Sequence, residues 1–378
     1  MQASANAPQT PLNSPFARAT LVAYMFLIVY ASCYPFSDWR DLGVSPTAFF
    51  TTHMPRYWTK FDAGVNIVGY IPFGMLLMFS LYPRIRGVLA VLLAIAIGTA
   101  FSTLMEVIQT YLPSRVPSTL DIATNVAGAA IGALLGAWLS RPLIDHSRLA
   151  RLRARWFDSG LTRGLVVASL WPLAQIYPLP YLFGHGQVLG KISDLLSGWL
   201  DTPVDLAMMI LRGKVFTVEQ YWLSETLITA CGMAGAALTF LCLMKPEAPR
   251  GRLALGMIAL ALTVKTLASA LLFSPENAFA WITPGAQGGL IIGAMLLAGL
   301  TFAPPIAQRR LAALTLLISL VVVNIVPPNP YFLATLQGWV QGKFLNFNGA
   351  AQFLSLLWPF LALWFLSHPV PARKMQKT

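Results

Sequence analysis

The chain has 378 residues, 56% of them hydrophobic and 11% charged, and apolar runs of about 20 residues recur along it, which marks a polytopic membrane protein and excludes a set of soluble domains. A formal net charge of +12 invites a nucleic-acid partner, but most of the Lys and Arg flank apolar runs, where membrane topology alone demands them, so nucleic acid is discounted. Cys33, Cys231 and Cys242 lie inside apolar runs without metal-ligand spacing, so neither a disulfide framework nor a metal site is expected, and no cofactor is implied.

A short polar stretch, 1–16, leads into a first apolar helix at 17–36. It reads as a membrane helix and not as a cleaved signal, because its leading region holds only Arg18 and Tyr30-Ala31-Ser32-Cys33 makes a poor lipoprotein box. A polar loop at 37–61 precedes a second span at 63–82, where Pro72 removes a backbone hydrogen bond and predicts a kink. Arg84 and Arg86 mark the next turn. Spans at 87–112 and 120–140 follow, joined by so short a loop that they must be antiparallel neighbours. Between 141 and 163 the composition changes: Arg141, Arg148, Arg151, Arg153, Arg155 and Arg163 form a basic cytoplasmic linker. It divides a four-helix domain, 1–140, from a carboxy-terminal membrane domain, 164–378.

Further spans are expected at 164–183, 222–244, 253–273, 286–304, 311–326 and 350–367. Trp171-Pro172 and Tyr177-Pro178-Leu179-Pro180 predict that the first of these is irregular, broken or re-entrant. At 187–200, Val188, Leu189, Ile192, Leu195, Leu196, Trp199 and Leu200 recur at helical spacing with Lys191 and Asp194 opposite them. The stretch 331–344 is similar. Both read either as helices lying in the outer interface or as caps on the bundle. The predicted fold class is thus an all-α transmembrane bundle of about ten spans, with both termini cytoplasmic because alternate loops differ in basic content as topology requires. The cytoplasmic side carries Arg18, Arg84, Arg86, the linker arginines, Lys245, Arg250, Arg252, Arg309, Arg310, Arg373, Lys374 and Lys377, 17 in all, and the opposite loops carry 8.

With that orientation the polar residues fall into one place. Asp62 and Asn66 lie at the outer end of the second span, Glu106 and Gln109 at the outer end of the third, Arg115 in the outer turn, and Asp121 and Asn125 at the start of the fourth. Ser102, Glu106 and Gln109 share a helical face, as do Asp121, Asn125, Gly128 and Gly132. These faces are expected to look at each other, with the Gly128, Gly132, Gly136 series letting backbones approach. Intramembrane carboxylates turn toward protein or a water-filled cavity, so the cluster predicts a cup open to the outer side.

Residues 62 to 136 resemble the VanZ-like family of bacterial membrane proteins. The resemblance rests on Asp62, Asn66, Tyr70, Pro72, Phe73 and Gly74, then on Glu106, Gln109, Pro113, Arg115, Asp121, Asn125, Gly128 and Gly132, with Ser114 standing where glycine is common. It implies a multi-pass protein of the bacterial cytoplasmic membrane whose namesake confers low-level resistance to teicoplanin. Nothing carries over to 141–378.

Three readings follow for the cluster. In the first, Asp62, Asn66, Glu106, Gln109, Arg115, Asp121 and Asn125 recognise an anionic membrane lipid or a lipid-linked envelope precursor, with Arg115 gripping phosphate and the carboxylates orienting it. In the second, Glu106 is a general acid or base acting at a lipid phosphate. In the third, Glu106, Arg115, Asp121 and Asp62 form an ion-pair network that only joins helices. Elsewhere, Lys265 is expected either to pair with Glu225 or to snorkel, and Gln175 to satisfy backbone groups freed by prolines; the histidines are scattered among loops and termini, and His53, which alone sits in a loop near the cluster, is expected to be solvated.

Overall fold

The structure, a computed structural model, describes residues 14–34, 36, 38–51, 60–140, 155–157, 162–214, 216–273, 275–328, 332 and 345–368. It is all-α. The helices in chain order are α1 (Ser14–Cys33), α2 (Lys60–Leu81), α3 (Gly87–Gln109), α4 (Thr119–Ser140), α5 (Thr162–Ala174), α6 (Leu189–Leu200), α7 (Leu206–Leu211), α8 (Val218–Leu241), α9 (Arg250–Leu272), α10 (Pro284–Leu300), α11 (Pro305–Ile325) and α12 (Leu345–Ser367). Among the described residues the only extended pairing is an isolated bridge between Phe157 and Met244. Among the described residues six helices are long and apolar enough to cross a membrane: α2, α3, α4, α8, α9 and α11. Most of α1, α5 and α12, and all of α10, are shorter apolar segments. Most of the linker arginines and most of 331–344 lie outside the described residues.

Contacts divide the chain into two compact units, Met1–Arg153 and Ala154–Thr378. In the first, the pairing of α2 with α4 sets everything else. The buried stripe of α4 is Asn125, Gly128, Ala129, Gly132, Ala133, Gly136 and Ser140, a helical face made mostly of residues with little or no side chain. A Cβ on Gly128 would lie 2.2 Å from the Ile67 carbonyl oxygen and one on Gly132 2.0 Å from that of Ile71. Reciprocally, a Cβ on Gly74 of α2 would lie 2.1 Å from the Ala129 carbonyl. The two helices therefore touch backbone to backbone, as small-residue stripes allow in membranes. Helix α3 packs on the neighbouring face of α4, where Asn125 meets Ser102. The expected facing of the α3 and α4 stripes is thus half realised: the asparagine turns to α3, and the glycines turn to α2 because only there does backbone come close enough to need them.

Pro72 sits inside an uninterrupted α2. Its ring denies a hydrogen bond to the carbonyl four residues back, and the next carbonyl, that of Gly69, receives the Tyr24 hydroxyl of α1 at 2.7 Å. The Tyr24 bond thus falls one residue beyond the carbonyl that the proline leaves without its helical donor, and joins α1 to α2 there.

In the second unit α8 is the central helix, and Ala230, Gly232, Ala234, Gly235, Ala236 and Ala237 are all buried. Helix α10 lies against it through Gly285, Gly289 and Gly293, where added Cβ atoms would strike Glu225, Thr229 and Met233. The start of α8 carries a full capping box between Thr217 and Gln220. The segment expected as a span at 164–183 is helical only to Ala174. After the Trp171-Pro172 step the chain runs without helix to α6, packing Tyr181, Leu182, Phe183 and His185 inside the unit. Irregular backbone of this kind is tolerated in membrane proteins where protein surrounds it.

Candidate functional site

The polar residues of the first unit meet at the junction of α1, α2, α3, α4 and the turn between α3 and α4. That turn is closed by the Arg115 amide donating to the Leu112 carbonyl at 2.9 Å. Its last residue, Ser118, lies directly over α3: the Ser118 amide donates to Glu106 Oε2 at 2.8 Å, and the Ser118 hydroxyl accepts from the Leu120 amide at 3.1 Å. Glu106 is 3% exposed. Its carboxylate therefore ties the end of α3 to the start of α4, where the amide-rich end of a helix favours negative charge.

Arg115 and Gln109 point the other way, to the end of α1. Arg115 Nη2 donates to the Tyr34 carbonyl at 2.7 Å and to that of Ala31 at 3.5 Å, and Gln109 Nε2 donates to the Ser32 carbonyl at 3.0 Å. The last carbonyls of a helix have no partners within it, and a cation there meets the negative end of the helix dipole. Half-burial lowers the Arg115 pKa from its ordinary value, an effect opposed by the nearby Cys33 thiol. A guanidinium nevertheless stays charged in proteins.

A third set joins α2, α3 and α4. Asn66 Nδ2 donates to Asp121 Oδ1 at 2.9 Å, and Asn125 Nδ2 donates to the Ser102 hydroxyl at 3.0 Å. Tyr70 lies beside Ser102 and near Glu106, and Asn125 Oδ1 is buried without a hydrogen-bond partner among the described residues. Orphaned buried polar atoms are rare and mark places where a water molecule or a ligand group belongs.

The structure thus brings Asn66, Glu106, Gln109, Arg115, Asp121 and Asn125 to one junction and leaves Asp62 exposed in the first turn of α2. The Arg115 hydrogen bonds described above go to the α1 carbonyls. Glu106 is held by a backbone amide and Asp121 by an amide side chain, so the expected ion-pair network through Glu106 does not form. The reason is local: α1 ends beside the turn, and its carbonyls are nearer acceptors for the guanidinium.

Beside the turn is a pocket of about 370 Å³. One wall is Thr110, Arg115, Val116, Pro117, Ser118 and Thr119, and the other is Leu42, Val44, Ser45, Ala48 and Phe49 from the loop after α1. That loop is tied to the turn by the Arg40 amide donating to the Tyr111 carbonyl at 3.1 Å. Its lining is mainly apolar, with one guanidinium and a few hydroxyls. Sequence reasoning located the polar wall and missed the apolar one, because 42–49 has no helical periodicity and reads simply as loop.

A second polar cluster, also missed, lies in the other unit. Gln175 Nε2 donates to the Trp171 carbonyl at 3.1 Å, as its place among prolines predicted, and also meets His185 Nε2 at 2.6 Å. The carbonyl contact fixes which way the amide faces, so it has only hydrogen to offer the imidazole. His185 Nε2 must then be the acceptor, and Nδ1 carries the proton that it gives to the Ser355 hydroxyl at 2.9 Å. In this arrangement the neutral histidine is a donor to the serine and not its base. His185 is 4% exposed and stacks edge-on to Trp358. His53 and His146 lie outside the described residues.

A helical membrane unit with a charged, half-apolar pocket at one helix junction is the class of protein that this fold and site define. The comparison with known families agrees: residues 13–140 match the VanZ/LLP1 family model. This amino-terminal unit is VanZ-like, and the match extends the resemblance back through α1, the helix that Arg115 and Gln109 cap. No curated protein and no solved structure matches the chain.

Proposed function

We propose that the VanZ-like unit recognises an anionic lipid or a lipid-linked cell-envelope precursor at the outer leaflet of the bacterial inner membrane, in a chain of about ten spans with both termini cytoplasmic. The observation that carries this reading is the pocket beside the α3–α4 turn, where a guanidinium and a few hydroxyls face an apolar wall. Such a lining suits an amphiphile with a phosphate next to hydrocarbon: arginine's planar donors match phosphate oxygens, and low polarity around it strengthens the attraction. Ser118 links the pocket to the interior, since it lines the wall and its amide holds Glu106. Any effect on teicoplanin susceptibility, as the family resemblance implies, follows from handling such a precursor.

The test leaves Arg115 untouched, because that residue also caps α1. Ala48→Trp fills the pocket from the opposite wall. Mass spectrometry of lipids retained by the purified full chain should show one phosphate-bearing class on wild type, reduced about tenfold in the variant, a loss of about 1.4 kcal/mol in binding. An unchanged lipid profile at unchanged fold would overturn the reading.

A further inference from the structure

Helices α6 and α7 form a hairpin in the carboxy-terminal unit whose two ends are fixed by helices that cross the membrane. Helix α11 has 21 residues, which at about 1.5 Å per residue gives about 31 Å. That matches the roughly 30 Å of a hydrocarbon core, so the last turn of α11 comes level with the membrane surface. There Asn324 Oδ1 accepts the Leu189 amide at 2.8 Å and Asn324 Nδ2 donates to the Gly186 carbonyl at 2.8 Å, which pins the start of α6. At the other end α7 stops at Leu211, and α8, a second membrane-crossing helix, starts at Val218.

Within the hairpin, small polar residues join the two helices. The Ser193 hydroxyl accepts the Leu206 amide at 3.1 Å, and the Ser197 hydroxyl accepts the Val204 amide at 2.8 Å. The rest of α6 has two exposed sides of opposite character. Ile192, Leu195 and Trp199 recur at i, i+3 and i+7 as an apolar ridge, with Leu195 64% and Trp199 84% exposed, and Met208, Met209 and Ile210 of α7 are exposed as well. Lys191 and Asp194 are exposed on the other side of α6. A cap on the bundle would bury the ridge, and a hairpin standing in water would carry a liability in it. A helix lying at the boundary of lipid and water uses both faces, and Trp is favoured there.

We propose that the α6–α7 hairpin is a membrane-surface anchor that lays Leu195, Trp199 and Met209 into the acyl region of the adjoining leaflet. The start of α8 exposes Val218, Trp222 and Leu223, so the apolar surface resumes on the crossing helix that follows. Charge decides the kind of lipid surface. Lys191, Arg212 and Lys214 are matched by Asp194, Asp201 and Asp205, so the hairpin brings no net charge to the membrane. Apolar burial, and not attraction to anionic head groups, drives its insertion. The anchor uses none of the residues of the pocket in the VanZ-like unit and stands whether or not that pocket binds lipid.

The experiment attaches a nitroxide to single introduced cysteines of the full chain in lipid nanodiscs, with the buried Cys33, Cys231 and Cys242 replaced by alanine. Should that background not fold, the native cysteines stay, since burial shields them from the label. Collisions are compared for oxygen, which concentrates in the bilayer, and for a water-soluble nickel chelate. Leu195→Cys, Trp199→Cys and Met209→Cys should meet oxygen and lose access to nickel, and Asp194→Cys should do the reverse. Discs of phosphatidylcholine alone and discs with added phosphatidylglycerol should give the same pattern. Nickel access at every position would overturn the proposal, because the hairpin would then stand in water. Shielding of the three apolar positions from both probes would overturn it as well, with a second copy or another protein covering the ridge. Insertion in the anionic discs alone would also sink it, since charge would then supply the binding.

Discussion

Both units close helix C-termini with arginine and glutamine, and setting them side by side separates what is common about Arg115 from what is its own. In the carboxy-terminal unit Arg309 donates from Nε to the Leu366 carbonyl at 2.7 Å and from Nη2 to that of Phe365, closing α12. Arg250 reaches the Met244 and Thr301 carbonyls, and Gln308 those of Leu300 and Thr301 at 2.9 Å. Arg115 and Gln109 do the same for α1. A cation at a helix C-terminus is therefore a device that this chain uses repeatedly, and capping alone gives Arg115 no special role. Two things set it apart. On the proposed topology Arg250 and Arg309, near the starts of α9 and α11, lie on the side where the positive-inside pattern expects arginine, whereas Arg115 lies on the opposite side. Arg115 also lines the apolar pocket.

The largest expected effect breaks the packing on which that difference depends. Gly132→Ala places a Cβ 2.0 Å from the Ile71 carbonyl oxygen, and since backbone lies opposite, α2 and α4 must separate. Overpacking costs about 1–3 kcal/mol, and the upper end is expected here. Gly299→Ala on α10, with nothing within 4 Å of the added atom, should instead gain about 0.5–1 kcal/mol from helix propensity. Unfolding midpoints of the two variants in detergent should move in opposite directions. Equal shifts would mean that the α2–α4 crossing is looser than described.

Arg115→Ala against Arg309→Ala sharpens the comparison directly. Each removes charged hydrogen bonds to helix carbonyls, worth about 1.5–3 kcal/mol, so both should lower the midpoint similarly. Retained phosphate-bearing lipid should fall only in Arg115→Ala. Loss in both variants would reduce Arg115 to a cap.

How much of this the sequence carried depends on the range of the interaction. That α4 carries a close-packing face was legible because glycines four apart define a face whatever lies opposite, but the partner expected for Gly128, Gly132 and Gly136 was α3 and the structure gives them α2. The convergence of Asn66, Glu106, Gln109, Arg115, Asp121 and Asn125 was legible for the same reason, since helix direction fixes their depth. The partners were not. Glu106 holds the Ser118 amide and Arg115 the α1 carbonyls, and backbone groups are the same at every position, so sequence favours the charged side chains it can see. His185 gave no signal in the sequence because its loop folds back into the unit and meets Ser355, 170 positions away. Lys265 could be flagged as intramembrane, but only packing shows that Glu225 accepts the Thr283 hydroxyl, at 2.6 Å.

The smallest effects concern two asparagines whose surroundings differ in one respect. Asn66 gives its amide to Asp121, and interhelical hydrogen bonds in bilayers average about 0.6 kcal/mol, so Asn66→Ala should cost about that much. Asn125 makes a similar bond to Ser102 but also buries Oδ1 without a partner. Replacing it with an apolar residue of like volume, Asn125→Val, removes one hydrogen bond together with one unsatisfied acceptor, and the freed Ser102 hydroxyl can turn to the carbonyl one turn back on its own helix. The net change in midpoint should be close to zero in the delipidated chain. If lipid raises the wild-type midpoint but not that of Asn125→Val, Oδ1 is an acceptor reserved for the ligand, and the site reaches from the pocket past Glu106 to the α3–α4 interface. If lipid raises both equally, recognition stops at the pocket wall, and Tyr70, Ser102 and Asn125 serve helix packing alone.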